Sequence, residues 1–234
     1  MHFFYAPNIT LPEYFLNEEE SKHCINVLRL RNNALINLVD GEGGFYTAEI
    51  INAHPKKCAV KILESKLEYG KSKFHLHIAI APPKNIQRFE WFLEKATEIG
   101  VSEITPLLCE FSEKKFMKME RLKKILISAM KQSEQAYLPV LNEQTKLKQV
   151  VNLPFAGQKF IAHCHNERKE LIPHLYKKHK NVLVLIGPEG DFSPQEVAYA
   201  LANSCSPISL GNHRLRTETA GIIACNVLNL LNDI

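Results

Sequence analysis

The sequence predicts an α/β protein with a mostly parallel sheet, preceded by a small β-rich module. After residue 74, short apolar runs typical of strands alternate with segments of helical periodicity, the pattern of a parallel sheet with helices on both faces. Before residue 70, strand-like runs are joined by glycine-rich turns. Between them Glu68–Lys73 is polar around Gly70, which predicts a linker and a domain boundary.

The β-rich module is predicted from short alternating runs. His23–Leu30 has the pattern of a short helix, and Leu35–Val39 and Phe45–Ile51 have the pattern of a hairpin. The turn between them, Asp40–Gly44, contains Asp-Gly and Gly-Gly, which supply the positive φ that such turns need. Cys58–Leu63 is predicted to be a further strand.

The larger part of the chain alternates strands with helices. The predicted strands are His75–Ala81, Glu103–Leu108, Lys159–His163, Asn181–Ile186 and Ser206–Leu210. The predicted helices are Gln87–Ile99, residues 116–134, Pro194–Asn203 with Ser193 as its N-cap, and Thr219–Leu231. Ligands of parallel sheets bind beyond the carboxyl ends of strands, so we expect the site in the loops after Ile186 and Leu210.

Composition excludes several classes of protein. With 234 residues, 45% hydrophobic and 23% charged, the chain has the composition of one or two globular domains. The charge-free stretch Thr219–Asn232 has 14 residues and three asparagines, too short and too polar for a membrane span. No basic segment precedes the short apolar start, so we expect a cytoplasmic protein without a secretory signal. The six cysteines are scattered without a CxxC pair, which predicts buried thiols rather than zinc ligands or disulfides.

The net charge of +4 is concentrated in one segment. Residues 114–131 contain seven basic side chains and one acid, with apolar residues at helical spacing between them. Two interpretations stay open, an ordinary solvated helix face or a surface that contacts nucleic-acid phosphates. The candidate contacts are Lys118, Lys123 and Lys124, and the β-rich module offers Arg29 and Arg31 for the same role.

Two loops contain the candidate binding and catalytic residues. Gly187–Ser193 joins a buried strand to a capped helix, and its glycines allow backbone groups to approach a ligand closely. Leu210–Thr219 follows the last strand and contains Arg214 and Arg216, which form either a salt bridge with Glu218 or a cationic rim. Neither loop matches a dinucleotide or Walker fingerprint. The last helix is apolar nearly all round, which predicts burial in the core or against a second subunit.

Four segments of the chain resemble the ribosomal RNA small subunit methyltransferase E family of SPOUT enzymes. They are HCINVLRLRNNALINLVDGEGGFYTAEI from residue 23, EKATEIGVSEITPLLCEFSEKK from 94, LIGPEGDFSPQEV from 185 and LGNHRLRTETAGI from 210. The resemblance implies a PUA-like β-barrel for RNA over residues 1–70 and a trefoil-knotted domain over 74–234. It also implies S-adenosylmethionine (SAM) as cofactor, a homodimer, and methylation of N3 of a specific uridine in 16S ribosomal RNA of the small subunit.

The resemblance also assigns residues to roles. His163 and Cys164 would form a third segment of the knot, beside two cofactor-binding loops that comprise Ile186, Gly187, Pro188, Glu189, Gly190, Leu210, Gly211, Leu215 and Thr217. In the second loop His213 replaces the first arginine of the family pattern and Arg214 replaces an apolar residue, and Gln135 stands where an arginine is usual.

Methylation of N3 requires removal of its proton or stabilisation of the anion that forms. The predicted catalytic residues are Arg214 and Arg216, as electrostatic stabilisers, and Glu218, with Glu98 as an alternative base. A second interpretation, which stays open, makes Glu218 a cap of the last helix. Two alternative functions stay open: a SPOUT enzyme that methylates a ribose 2′-hydroxyl or a transfer RNA base, and a non-catalytic RNA-binding factor.

Overall fold

The computed structural model describes residues 2–113, 117–165 and 169–233. The chain forms two compact units: one contains the residues up to Lys71 together with Ile127–Leu138, and the other contains Ser72–Leu126 with Pro139–Ile234. Within the described ranges, no helix is both long enough and apolar enough to cross a membrane. Basic residues Lys114 and Lys115 of the predicted cationic helix lie outside the described residues.

The first unit is built on a five-stranded mixed sheet with the order β1-β3-β4-β5-β2, in which only β1 and β3 pair in parallel. Its strands are β1 (Phe3–Tyr5), β2 (Glu13–Phe15), β3 (Leu35–Val39), β4 (Phe45–Asn52) and β5 (Ala59–Lys66). The predicted hairpin is confirmed, because Val39 pairs with Phe45 and the turn glycines Gly41 and Gly43 have φ of 85° and 100°. The three-residue strands β1 and β2 were not predicted, since so short a segment carries no periodicity.

The helical segment of the first unit begins earlier than predicted. Helix α1 covers Glu18–Lys22 and continues into a π-helical turn over His23–Val27. It begins there because the Asn17 side chain accepts a hydrogen bond from the Glu20 N–H at 2.8 Å, which caps the first turn.

Residues 127–138 pack with the first unit through a small apolar cluster. Met130 and Ala136 are buried against Val39, and the Ala136 carbonyl accepts a hydrogen bond from the Gly43 N–H at 2.9 Å. The Lys131 ammonium lies 2.5 Å from a carboxylate oxygen of Glu20, which is 5% exposed. Lys131 is therefore not on the cationic outer face that the sequence predicted.

The second unit contains the parallel sheet. Its strands are β6 (Leu76–Ile80), β7 (Glu103–Leu108), β8 (Val140–Leu141), β9 (Thr145–Lys146), β10 (Gly157–Ala162), β11 (Glu170–Leu171), β12 (Asn181–Ile186) and β13 (Cys205–Ser209). The helices are α2 (Ile86–Ile99), α3 (Met119–Gln132), of which residues 127–132 belong to the first unit, α4 (Leu147–Asn152), α5 (Ile172–Leu175), α6 (Pro194–Ala202) and α7 (Thr217–Asp233).

The strand order of this sheet is β11-β13-β10-β12-β6-β7-β8, with β9 beside β7, and every pair is parallel. Helices α4 and α6 contact each other, and α7 contacts both α2 and β6. Gly221 of α7 allows these two contacts, because a Cβ there would lie 2.6 Å from the Phe92 ring and 2.9 Å from Ile80. The five longer predicted strands and four predicted helices are all present, with boundaries within three residues at the ends that the structure describes.

Five of the six cysteines are buried, as predicted. All six cysteines are free thiols, and Cys24, Cys58, Cys109, Cys205 and Cys225 are buried. Cys164 is exposed, contrary to the prediction, because it follows β10 in a loop at the carboxyl edge of the sheet.

Candidate functional site

Three loops meet at the carboxyl edge of the parallel sheet. They follow the neighbouring strands β12, β10 and β13, which end at Ile186, Ala162 and Ser209. Parallel strands have their carboxyl ends at the same edge, so these loops are brought together although they are up to 47 residues apart in sequence. Both predicted cofactor loops lie here.

The first loop, Gly187–Ser193, is held in shape by Asp191. This residue has φ of 67°, and its N–H donates to the Pro188 carbonyl at 2.9 Å. One carboxylate oxygen accepts from the Phe192 N–H at 2.8 Å, and the other accepts from the Cys164 N–H, in the loop after β10, at 2.7 Å. Asp191 therefore fixes the conformation of the first loop and joins it to the loop after β10, a role the sequence did not indicate.

The rest of the first loop divides into a buried base and an exposed rim. Ile186, Gly187 and Pro188 are buried, whereas Glu189 and Gly190 are exposed. A Cβ on Gly190 would lie 3.2 Å from the Cβ of Phe111, so Phe111 covers the rim at this point. The glycine permits this close approach of the Phe111 side chain, which the sequence did not predict.

The loop after β13 is attached to the first loop at two points. The Thr217 hydroxyl donates to the Gly187 carbonyl at 3.0 Å, in a buried position. The Arg214 guanidinium donates to the Glu189 carbonyl at 3.3 Å, while a Glu189 carboxylate oxygen accepts from the Lys84 N–H at 3.0 Å. Four of the predicted site residues, Gly187, Glu189, Arg214 and Thr217, are thus in direct contact. Leu210 and Leu215 are half-buried on either side of the exposed Gly211.

An open cleft of about 390 Å³ lies beside these loops, between the beginnings of α2 and α7. It is lined by Asn85, Gln87, Arg88, Trp91, Arg216, Glu218 and Thr219. The predicted catalytic residues are therefore divided, since Arg216 and Glu218 line the cleft whereas Arg214 contacts the first loop. Glu98, the alternative base, forms an ion pair with Lys95 at 2.8 Å and does not line the cleft.

The Glu218 carboxylate is buried and incompletely paired. The residue is 7% exposed, and its Oε1 lies 3.8 Å from Nε of Arg88. Its Oε2 accepts no hydrogen bond from any residue that the structure describes. The capping interpretation of Glu218 finds no support in this geometry, because this oxygen would have to accept from a backbone N–H of the first turn. Arg88 and Trp91, which no motif in the sequence marks, complete the cleft.

The predicted RNA-binding residues are exposed in both units. Lys118, Lys123 and Lys124 lie at the surface of the second unit, and Arg29 and Arg31 lie at the surface of the first. The neighbouring Arg121 is engaged by both carboxylate oxygens of Glu90, at 2.6 and 2.8 Å. The cationic face of α3 is therefore smaller than the sequence predicts.

Comparison with known proteins identifies the family. A family model described as an RNA methyltransferase domain matches residues 70–229, more than half of the chain. This chain belongs to the RNA methyltransferase family. A second model, an RNA methyltransferase PUA domain, matches residues 16–63. The fold class predicted from the sequence, a SPOUT-type parallel-sheet domain preceded by a PUA-like β domain, is confirmed.

Individual relatives cover almost the entire chain. The "Ribosomal RNA small subunit methyltransferase E" of Rickettsia conorii is 30% identical over 97% of this chain and 94% of its own length. A structure from Porphyromonas gingivalis described as a "probable rRNA-methyltransferase" has a TM-score of 0.94 at 40% identity, covering 100% of this chain and 99% of that one. The methyltransferase E of Neisseria gonorrhoeae, solved bound to S-adenosyl methionine, has a TM-score of 0.89 at 26% identity, covering 99% and 98%. The resemblance to methyltransferase E is thereby confirmed.

Within the described ranges, no group of three or more His, Cys, Asp or Glu has the geometry to hold a metal ion.

Proposed function

We propose that this protein transfers a methyl group from SAM to N3 of a specific uridine in 16S ribosomal RNA of the small ribosomal subunit. The observation that carries the proposal is the junction of the two cofactor loops, through Thr217 and Gly187, directly beside a cleft that contains a buried carboxylate. The Rickettsia relative is named a ribosomal RNA small subunit methyltransferase, and the Neisseria structure was solved bound to SAM, which supports the substrate class and the methyl donor.

The residues at the carboxyl edge fit the adenosyl part of SAM. An adenine ring is bound by apolar walls and by backbone hydrogen bonds, and the half-buried Leu210 and Leu215 flank an exposed backbone at Gly211. A Cβ on Gly211 would meet no atom within 4 Å, so this part of the loop has open space beside it. We therefore assign cofactor binding to the predicted set, which is Ile186, Gly187, Pro188, Glu189, Gly190, Leu210, Gly211, Leu215 and Thr217.

Bound there, SAM supplies the methyl group, and the chain's own residues supply orientation and charge. Glu218 accepts the proton of uridine N3, and Arg216 stabilises negative charge on the uracil oxygens. The contact of Arg214 with the Glu189 carbonyl supports a positioning role for Arg214, which holds the two cofactor loops together. Arg214 is held by its hydrogen bond to Glu189 and Glu218 by its buried place in the first turn of α7, and such positioning lowers the cost of orientation in the transition state.

We also propose a trefoil knot in the second domain. What supports it is the path of the chain after β13, which passes the loop after β12 at Gly187 and continues into α7. Helix α7 then packs on α2 and β6, whereas β13 lies on the far side of β10 and β12. An experimental structure traced through residues 181–233 tests this topology. A trace in which α7 is reached without passing through the loop after β12 would contradict it.

A homodimer is proposed from the surface of α7. Leu230 is 51% exposed, and Ile223 and Val227 on the same helix are half-buried, which is more apolar surface than a solvated helix presents. We further propose residues 1–70 as the RNA-binding domain and 74–234 as the methyltransferase domain. Arg29, Arg31, Lys118, Lys123 and Lys124 would contact RNA phosphates, in the cytoplasm where ribosomal RNA is found.

The decisive experiment compares 16S RNA from three strains: parental, deleted for this protein, and complemented. Mass spectrometry of the nucleosides is expected to show N3-methyluridine lost on deletion and restored on complementation. Loss of a ribose 2′-O-methyl group or of a transfer RNA base methylation instead would assign the enzyme to another substrate. An unchanged nucleoside profile, together with no measurable SAM binding by calorimetry, would indicate a non-catalytic RNA-binding factor.

A further inference from the structure

The cleft between α2 and α7 has the chemistry of a pocket for one pyrimidine base. We infer that it takes the target uracil, with Trp91 stacked on the ring and the Glu218 carboxylate at the N3–H. The inference rests on the proposed function, since it assigns the substrate base to a pocket that neither the family match nor the cofactor loops specify. A volume of about 390 Å³ lies in the range of about 300–1,000 Å³ that small-ligand pockets occupy.

The first argument is the unpaired oxygen of Glu218. A buried carboxylate oxygen without a donor costs free energy, and at the wall of an open cleft a ligand can supply that donor. Thr217 is anchored to the Gly187 carbonyl, and Glu218 is therefore held in the first turn of α7 at the wall of the cleft. In a uridine the only N–H of the ring is at N3, the atom to be methylated. A uracil in the cleft would give Glu218 Oε2 its missing hydrogen bond.

The second argument is the charge pattern around Glu218. Arg88 lies 3.8 Å from Glu218 Oε1, and Arg216 lines the same cleft. The Watson–Crick edge of uracil presents an acceptor, a donor and an acceptor, namely O4, N3–H and O2. A carboxylate accompanied by two guanidinium groups complements that edge. Cytosine has no hydrogen on N3 and carries an amino donor at C4, so the same groups discriminate against it.

The third argument is Trp91. It is the only tryptophan of the chain, it is 44% exposed, and it lines the cleft from α2. Enzymes that modify a base take it out of the nucleic-acid stack and place it against aromatic side chains. An exposed indole beside a buried carboxylate provides this combination of stacking surface and edge recognition.

The step that follows from this placement is a displacement at the methyl carbon. N3 gives its proton to Glu218 and uses the freed electron pair to form the bond to the methyl carbon. The methyl–sulfur bond breaks and its electrons remain on sulfur, which becomes a neutral thioether. The proton then leaves Glu218 for solvent through the open side of the cleft, and Arg88 and Arg216 hold the charge that passes onto O2 and O4.

Fluorescence of Trp91 tests the inference directly, because no other tryptophan contributes. The probe is a synthetic single-stranded RNA with one uridine, added to the full-length protein without SAM. Two matched RNAs carry cytidine or N3-methyluridine at that position. We expect saturable quenching with the uridine RNA. The two control RNAs should bind at least about 5-fold more weakly, because each lacks the hydrogen bond from N3–H to a charged group. Equal quenching by all three RNAs, or none, would overturn the assignment.

Variants separate stacking from proton transfer. Trp91→Ala is expected to weaken binding of the uridine RNA, measured by filter retention, about 5-fold or more, as for loss of one stacked base. Trp91→Phe should retain most of the affinity. Glu218→Gln should lower kcat about 100-fold or more, with SAM affinity by calorimetry unchanged. Leu153→Ala removes another exposed apolar side chain of the second unit, outside the cleft and the cofactor loops, and is the control that leaves the uridine preference intact.

The outcomes distinguish this inference from the proposed function. If the protein methylates 16S RNA but Trp91→Ala changes neither RNA affinity nor KM, the base binds elsewhere and the inference fails alone. If Trp91→Ala instead shifts sedimentation towards monomer with parental RNA affinity, Trp91 is a dimer contact and the inference is again overturned. If uridine quenches Trp91 but 16S RNA is not methylated, the pocket stands and the proposed substrate is wrong.

Discussion

The buried imidazole of His77 predicts a specific loss of stability in mild acid. His77 is 4% exposed on β6, and its Nε2 lies 2.7 Å from the Thr105 hydroxyl. That hydroxyl accepts from the Asn142 amide at 2.7 Å, so its own proton is available for Nε2 of a neutral ring. Burial lowers the pKa of His77 from 6.5 to about 4, with Glu103 opposing and His75 adding to the shift.

The magnitude follows from this pKa. At pH 7.5 and above, the imidazole is almost entirely neutral in both folded and unfolded chains, and it has little proton-linked effect. As the pH falls from 6.5 towards 4, the unfolded chain takes up a proton that the folded chain does not, so the free energy of unfolding decreases. The full loss is about 3 kcal/mol, at about 1.4 kcal/mol per pKa unit, and about 2 kcal/mol of it is reached at pH 5.

Urea unfolding at pH 7.5 and pH 5.0, followed by the fluorescence of Trp91, measures this loss. His77→Gln retains an amide that can bond the Thr105 hydroxyl, but it does not titrate. Between pH 7.5 and pH 5.0 its free energy of unfolding should therefore fall by about 2 kcal/mol less than that of the parent. The Glu103 carboxylate, with its pKa lowered to about 2 mainly by the hydrogen bond from His75, contributes stability that is lost only below about pH 4.5. The exposed His174→Gln is the control. Equal pH dependence in the parent and His77→Gln would refute the reasoning.

Three further predictions concern the cofactor, the RNA and the assembly. Gly190→Val should weaken SAM binding several-fold, because its side chain must displace Phe111 from the rim of the loop; an unchanged dissociation constant by calorimetry would remove this loop from the site. Changing the exposed Lys118, Lys123 and Lys124 to glutamine should lower RNA affinity and reduce the slope of log affinity against log salt by about one per lost phosphate contact. SAM affinity should be unaltered, and the double change Arg29→Gln/Arg31→Gln should lower RNA affinity less. A parental slope would identify these lysines as an ordinary solvated face. Leu230→Glu should shift light scattering from dimer to monomer, since it places a charge in the proposed apolar contact; a monomeric parent at micromolar concentrations would contradict the homodimer.

Local patterns determined most of the secondary structure. The capped start of α6 is encoded by Ser193 and Pro194, and the structure contains the complete capping box with Glu196. The hairpin turn is encoded by Asp40–Gly44, whose side-chain and glycine requirements act within five residues. Strands β7 and β12 have the predicted limits because β-branched and apolar runs are bounded by turn residues. These features depend on neighbours in the chain, and the sequence by itself therefore determined them.

Only the tertiary structure decided which residues share the site. Loops after β12, β10 and β13 are adjacent because of strand order, and no periodicity in the sequence encodes that order. Two contacts in the site are likewise not encoded locally: Asp191 and Cys164 are 27 residues apart in sequence, and Arg88 and Glu218 are 130 residues apart. The sequence also does not show that Arg214 contacts the first loop whereas Arg216 lines the cleft, because the direction of each side chain depends on the backbone conformation of the folded loop. Long-range packing, rather than local propensity, places these groups, and it leaves Glu218 with the unpaired oxygen that marks the base pocket.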